Sequence, residues 1–328
     1  MKKRVLITGA SGFVGFHLIE AALTSGLEVY AAVRSGSQVK HLQGFDIQYV
    51  QVDFTAAEKI QETILQYKID YVIHAAGITK ARTEAEYNLI NATYTRNLAV
   101  ASISAGIEKF VFVSSLAALG PLTSLNEVLR DDSVPHPVTS YGKSKLLAEQ
   151  YLAALPELPL IVIRPTAVYG PREKDIFILF SSINKGLEPY IGAFKQQLSF
   201  IYVKDLASII VKALSAEITP QYFNVSDGHI YDRYALAEAS KKALKKKTFK
   251  FHLPVPVVNM LASLMELTYR WSTKTPALNK EKMQELTAVN WACDISSIRA
   301  KLDFRPKYNL ALGLTETLNW YKQNNWLS

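Results

Sequence analysis

The sequence predicts a doubly wound α/β fold: a parallel sheet covered by helices on both faces, with a smaller C-terminal region beside it. Three observations carry that expectation. In the first half of the chain, short β-branched runs alternate with longer segments whose apolar residues recur at spacings of three and four. The first such run leads straight into a glycine-rich turn, Thr8-Gly9-Ala10-Ser11-Gly12-Phe13-Val14-Gly15, and then an apolar helical pattern. The 328 residues, 49% apolar and 20% charged with 15 Gly and 13 Pro, have the composition of an ordinary globular protein large enough to bury a sizeable core.

Taken in order, strands are expected at 4–8, 28–33, 47–51, 71–74, 109–114 and 160–164, where β-branched and aromatic residues cluster. Helices are expected at 13–24, 56–66, 84–105 and 140–155. After Pro165 the pattern loosens, punctuated by Pro171, Gly186, Pro189 and Gly192, and 200–215 reads as a return to the sheet. Residues 1–165 and 200–225 are therefore assigned to the sheet domain, and 166–199 and 226–328 to a substrate-binding region. No internal repeat or low-complexity tract interrupts this order.

Composition narrows the setting. A single cysteine, Cys293, allows neither an internal disulfide nor a cysteine zinc site, which fits a reducing cytoplasm. The basic start, Met-Lys-Lys-Arg, is followed by only Val5, Leu6 and Ile7 before Thr8, far short of a signal-peptide core of ~7–15 apolar residues. No run approaches the ~18 uncharged apolar residues of a spanning helix, so membrane contact would be peripheral, at the inner face. The balance of 37 basic against 29 acidic residues gives +8, with Lys241, Lys242, Lys245, Lys246, Lys247 and Lys250 close together. That run lacks the aromatic interleaving of a nucleic-acid surface, so nucleic acid is not expected as a partner. It reads as a solvated helix face or as contact with an anionic surface. Six scattered histidines without ligand spacing give no metal site, and His74 reads as a satisfied strand-end residue.

Glycines at the first strand-to-helix junction permit a tight turn, close backbone approach to a pyrophosphate and close helix packing, while the helix N-terminus offers free N–H groups. The spacing of three residues between Gly9, Gly12 and Gly15 fits Val52-Asp53 after the third strand, His74-Ala75-Ala76-Gly77 after the fourth, Asn91 in the next helix and Val113-Ser114-Ser115 ending the fifth. Tyr141-Gly142-Lys143-Ser144-Lys145, then Arg164 through Pro171, then Phe200-Ile201-Tyr202-Val203-Lys204-Asp205 complete the series. In these motifs and their order the chain resembles the extended short-chain dehydrogenase/reductases, the NAD-dependent epimerase/dehydratase group. The resemblance implies a Rossmann-type sheet that holds a nicotinamide dinucleotide against Thr8, Gly9, Ser11, Gly12, Phe13, Val14 and Gly15. It also implies contacts from Phe54, Ala75, Ala76, Gly77, Tyr141, Lys145, Pro165, Thr166 and Val168. Asp53 has an adenine contact in the resembled group and otherwise reads as a residue near a helix N-cap. Asn91 reads equally as part of the cofactor cleft and as a helix-stabilising polar residue.

The second strand ends Ala32-Val33-Arg34-Ser35, with no carboxylate for a ribose hydroxyl. Arg34, with Ser35 or Lys40 beside it, can fork onto a 2′-phosphate, so NADP is expected and NAD is the alternative.

Tyr141 and Lys145 are four apart on one helical face. A free tyrosine titrates near ~10, and a neighbouring ammonium favours its phenolate. With Ser115 orienting a carbonyl oxygen, Tyr141 would donate the proton in reduction and accept it in oxidation. These three are the expected catalytic residues. Where sugar-nucleotide epimerases carry a diphosphate-binding asparagine and arginine and a tyrosine, this chain has Ala167, Leu198 and Leu119. Losing those anchors shifts the resemblance toward dihydroflavonol reductases and 3β-hydroxysteroid dehydrogenases, and implies a ketone or secondary alcohol on an apolar, lipid-like substrate. A sugar-nucleotide epimerase or dehydratase is the alternative, and a redox-sensing regulator would not need Ser115, Tyr141 and Lys145. The stretch 254–271 reads as an apolar helix with a polar stripe of Asn259, Ser263, Glu266 and Arg270, serving as a lid or core helix or as an interfacial one. Trp320, Tyr321 and Trp326 read as packing residues. A monomer or homodimer is expected.

Overall fold

The computed structural model describes residues 2–269 and 279–327. Its centre is a parallel sheet of β1 (Arg4–Thr8), β2 (Glu28–Ala32), β3 (Gln48–Val50), β4 (Tyr71–His74), β5 (Lys109–Val113), β6 (Leu160–Pro165) and one later strand. The helices between them are α1 (Phe13–Thr24), α2 (Ala57–Tyr67), α3 (Glu84–Asn88), α4 (Tyr94–Ser104) and α5 (Ser140–Ala153). Both faces of β5 and β6 are buried throughout, which explains the continuous apolar stretches 110–113 and 160–163 within them. Alternation sorts the side chains: Val5 and Ile7 join Leu18 and Ile19 on one face, whereas Leu6 joins Ile60, Leu98 and Leu152 on the other.

Beyond the sixth strand come β7 (Ala167–Tyr169), α6 (Phe177–Asn184), β8 (Leu187–Ile191), β9 (Gln197–Leu198), β10 (Phe200–Tyr202) and α7 (Val203–Ala213). The chain then adds β11 (Gln221–Val225), giving the sheet order β3-β2-β1-β4-β5-β6-β11. That seventh strand follows the segment 200–215 and is not legible from periodicity, since Gln221 and Asn224 break its apolar run. Buried Asn224 is recruited instead: its N–H donates to Asp131 at 2.7 Å and its amide to the Leu129 carbonyl at 3.3 Å, covering the sheet edge.

The remaining elements are β12 (Tyr231–Asp232), α8 (Ala235–Leu244), β13 (Phe249–Leu253), α9 (Val255–Tyr269), α10 (Lys280–Thr287), α11 (Ser296–Leu302) and α12 (Leu310–Gln323). Tyr169, Phe180, Tyr202, Leu314 and Tyr321 form a separate aromatic core beneath α6, α8 and α12. Tyr321 stacks on Trp326 at 5.4 Å and Trp320 meets both, so these three rings do pack the chain's end down.

Most expected elements lie within one or two residues of their positions. The 47–51 strand is trimmed to Gln48–Val50, and the 84–105 helix ends at Ser104 and is interrupted by a π-helical turn, Leu89–Thr93. The helix expected at 254–271 runs Val255–Tyr269; Arg270 and Trp271 lie outside the described residues. It is not a core helix. Among its described side chains Val258 and Ala262 are the buried ones, against Ile191, Leu253 and Met283, while Met260 and Leu264 are exposed.

Candidate active site

The topological switch point falls between β1 and β4, the neighbours from which the chain winds off in opposite directions. The glycine loop sits there. Gly9 has φ +71°, and a Cβ on it would meet the Ala75 carbonyl oxygen at 2.6 Å and the Ala76 nitrogen at 2.8 Å. At Gly15 a Cβ would fall 2.1 Å from the Gly9 carbonyl oxygen, so only glycine lets α1 settle onto the turn. Gly12 begins α1 with no side-chain cap, leaving its first N–H groups and positive dipole end for a ligand. A tight backbone cradle with an uncapped helix start fits the pyrophosphate of a dinucleotide.

Beneath it runs a buried chain of hydrogen bonds. The Ala76 N–H donates to Thr8 Oγ1 (3.1 Å), which lies 2.7 Å from His74 Nδ1; His74 Nε2 lies 2.8 Å from Thr95 Oγ1, and that hydroxyl donates to the Asn91 carbonyl (2.7 Å). Burial pushes the His74 imidazole down to about 3, so it is a neutral link with both nitrogens engaged.

Asn91 lies in the π-helical turn and is fully buried. Its Oδ1 accepts from the Ile78 N–H at 2.8 Å, while its Nδ2 donates to the Ile78 carbonyl and to Ser144 Oγ, each at 3.0 Å. It therefore ties the loop after β4 to α5, the helix that carries Tyr141 and Lys145.

Ser115 follows β5 in extended backbone and accepts the Ala117 N–H at 3.1 Å. Burial raises the Tyr141 phenol to about 12, opposed by its hydrogen bond with Ser115. Lys145 is buried, donates to the Val113 carbonyl at 3.0 Å and sits 4.9 Å over the Phe112 ring. Burial pulls its ammonium down to about 8. The fold thus brings Ser115 to the carboxyl end of β5, with Tyr141 and Lys145, one turn of α5 apart, packed against it; β4 separates this group from the glycine loop's strand.

The family model described as NAD dependent epimerase/dehydratase matches residues 5–226. The chain belongs to that family. It is a nicotinamide-dinucleotide-dependent enzyme of the short-chain dehydrogenase/reductase superfamily. Similar proteins include a UDP-glucose 4-epimerase of Vibrio cholerae, 26% identical across 99% of this chain and 97% of that one. A decarboxylating sterol-4-alpha-carboxylate 3-dehydrogenase of Dictyostelium discoideum is 27% identical across 96% and 99%. A ceramide reductase of Caulobacter vibrioides is 28% identical across 98% and 96%. Among solved structures, the UDP-glucose 4-epimerase of Thermotoga maritima with UDP-glucose superimposes with a TM-score of 0.81 at 21% identity, covering 98% and 99% of the two chains.

Within this family fold, Arg34 and Ser35 are exposed just past β2, where the Arg34 N–H donates to Ser37 Oγ at 3.1 Å. Among the described residues no carboxylate pairs with Arg34. The Asp53 carboxylate accepts from Thr55 and from Lys59 Nζ (2.8 Å), which hold it well below the usual carboxylate range, ahead of α2. Phe54 packs toward the second-face core, 6.3 Å from the Tyr94 ring. Pro165 pairs with Val225, the Thr166 hydroxyl donates to the Ser199 carbonyl at 2.6 Å, and Val168 packs partly buried against the sheet.

Two features escaped the sequence reading. Glu149, one turn beyond Lys145, forms a buried ion pair with Arg164 at 2.7 Å and accepts from Ser114 Oγ at 2.5 Å, clamping α5 to β5 and β6. Arg164 was visible as a motif residue, but nothing in the spacing marked its partner. The second is Asn290, whose amide donates to the Ser124 and Glu127 carbonyls at 2.7 and 2.8 Å, fastening the segment beyond Ser115 to the C-terminal region.

A cavity of about 380 Å³ opens beside Ser115. Leu116, Leu179, Ile191, Leu198, Phe200 and Trp291 give it a largely apolar wall. Its polar members are largely engaged: Gln196 donates to the Leu286 and Ala288 carbonyls, Arg233 to those of Ile191 and Phe194, and Lys282 pairs with Glu285 at 3.0 Å, while the buried Arg233 Nε has no partner among the described residues. Ala167 and Leu198 line the cavity, whereas Leu119 is buried in the sheet core.

Proposed function

We propose that this protein is an NADP(H)-dependent oxidoreductase that interconverts a ketone and a secondary alcohol on a mostly apolar molecule. The observation that carries the reading is the apolar cavity opening directly onto Ser115, with Ala167 and Leu198 where a diphosphate would need polar anchors. Each missing charge-assisted hydrogen bond would cost a nucleotide sugar ~1.5–3 kcal/mol. Relatives that bear sterol dehydrogenase and ceramide reductase names agree with an apolar substrate. The epimerase relative supports the alternative, interconversion of a nucleotide sugar with retained NAD.

When bound, the nicotinamide supplies or takes up the hydride. In reduction the Tyr141 hydroxyl gives its proton to the carbonyl oxygen as hydride reaches the carbonyl carbon, and solvent restores the phenol. The phenol is protonated at neutral pH, the form that reduction needs; burial makes it a weaker acid, which the Lys145 ammonium would offset. Ser115 hydrogen-bonds the same oxygen, and the Lys145 ammonium stabilises the phenolate left behind. The uncapped start of α1 would hold the pyrophosphate and Arg34 would hold the 2′-phosphate.

The test follows NADPH absorbance with ketones of graded chain length. kcat/KM should rise by ~0.8 kcal/mol per methylene until the cavity is filled, and UDP- or dTDP-sugars should neither bind nor turn over. Micromolar binding of a nucleotide sugar overturns the apolar assignment. Arg34→Ala should weaken NADPH binding, less so in high salt, and leave NADH binding nearly unchanged; a wild type that prefers NADH refutes the 2′-phosphate assignment.

A further inference from the structure

Beside the cavity, the parallel ribbon of β8 and β13 presents one apolar face. Register pairs Phe249 with Leu187, Phe251 with Pro189 and Leu253 with Ile191, so these six side chains share a face, while Glu188 and Tyr190 point into the fold. The inner end of β8 reaches the cavity that opens onto Ser115, where Pro189 and Ile191 line it together with Tyr190. The outer pair of the apolar face is open to solvent, Leu187 at 45% and Phe249 at 71% exposure. An apolar track thus leads from the surface to the reaction site.

Two residues beyond β13, α9 continues the pattern. Val257, Met260, Leu261 and Leu264 are exposed at i, i+3, i+4 and i+7, one stripe along the helix. Val258 and Ala262 bury a second apolar face, and exposed Asn259 and Ser263 lie on the side away from the stripe. Helices of soluble cores do not normally spend a full heptad of aliphatic side chains on water.

Charge surrounds the outer end of the ribbon. Lys185 stands two residues before Leu187, and Lys246 and Lys247 lie just before β13, separated from it by Thr248. All three are exposed, and among the described residues none is in an ion pair, unlike Lys241, which is spent on buried Glu188 at 2.8 Å. Exposed aliphatic side chains with free lysines beside them complement an anionic lipid surface: the apolar groups enter the acyl boundary and the ammonium groups meet phosphates. A second copy of the chain would bring like charges together instead.

We propose that the β8–β13 ribbon and the α9 stripe dock this protein on anionic phospholipid bilayers, with the apolar track as the entry for substrate. Its purpose rests on the apolar-substrate reading, but binding to vesicles is read without turnover, so the two can fail separately. Sedimentation with phosphatidylglycerol-containing vesicles and with pure phosphatidylcholine vesicles tests it. Wild type should bind the anionic vesicles at least about tenfold more tightly, with the difference fading in high salt. Lys185→Gln/Lys246→Gln/Lys247→Gln should lose about tenfold or more, and Met260→Asp/Leu264→Asp should abolish binding even at low salt. NADPH affinity should be unchanged in both variants, which shows that they are folded. Equal binding to the two vesicle types, or anionic binding that survives both sets of substitutions, overturns the proposal. So does vesicle binding unaffected by Met260→Asp/Leu264→Asp when that variant instead turns a dimer into a monomer on size exclusion, since the stripe would then cover a second copy.

Discussion

Lys145 carries a cation into a site where burial disfavours it, and the cost can be measured. Its folded-state value of about 8 lies below the ordinary 10.5, so the folded protein gives up the proton more readily than the unfolded chain does. The penalty is therefore fully present below about pH 8 and is relieved as pH rises toward 10.5. Lys145→Met should then be more stable than wild type at pH 7, by on the order of 2 kcal/mol once the lost bond to Val113 is deducted. Urea denaturation across pH should show the gap closing in alkali; a constant gap would mean that packing, not charge, sets it. Tyr141→Phe removes one oxygen. It should abolish turnover and leave NADPH affinity within about threefold, because on the proposed mechanism the phenol gives the proton and its contact to the cofactor is a minor share of the binding. Retained turnover would assign the acid elsewhere.

The helix α5 is held by a buried charge pair as well as by apolar packing. Glu149 accepts from Arg164 and Ser114, and Arg164 reaches on to the Asp131 carbonyl at 2.8 Å. Removing one partner leaves the other buried and uncompensated, so Glu149→Leu should cost ~3–5 kcal/mol, and Glu149→Leu/Arg164→Met should recover most of it. Chemical denaturation of Glu149→Leu, Arg164→Met and the double variant gives the coupling directly; variants all as stable as wild type would show the pair to be dispensable. The break of the 84–105 helix into a π-helical turn belongs to the same scale. It delivers Asn91 to both Ile78 and Ser144, an alignment for which a uniform α-helical period gives no cue.

Across the whole molecule, the C-terminal region is bound into the sheet domain and closes the cavity. Cys293 marks that junction. It is 7% exposed, its backbone pairs beside Leu129, and burial pushes its thiol up to about 12. The native protein should therefore resist thiol reagents at pH 8, with labelling appearing only alongside global unfolding in urea. Rapid native labelling would show that this region opens separately from the sheet.

The sequence by itself determined what local rules control. Gly9, Gly12 and Gly15 declare the first turn because only glycine permits its dihedrals and contacts, while short β-branched runs place six strands and a period of 3.6 places most helices. Tyr141 and Lys145 are legible as one helical face at a spacing of four. Tertiary structure decided what depends on partners from distant segments. The strand Gln221–Val225 exists because β6 and the 129–131 segment satisfy its polar groups. Glu149 became a clamp only when β6 brought Arg164 beside it. Asn290 has a role only through carbonyls 166 and 163 residues away. The apolar composition of α9 was plain from the sequence, but which side faces water was set by how Leu253, Ile191 and Met283 claimed the other. Propensity is a property of neighbours in the chain, whereas burial and pairing are properties of neighbours in space.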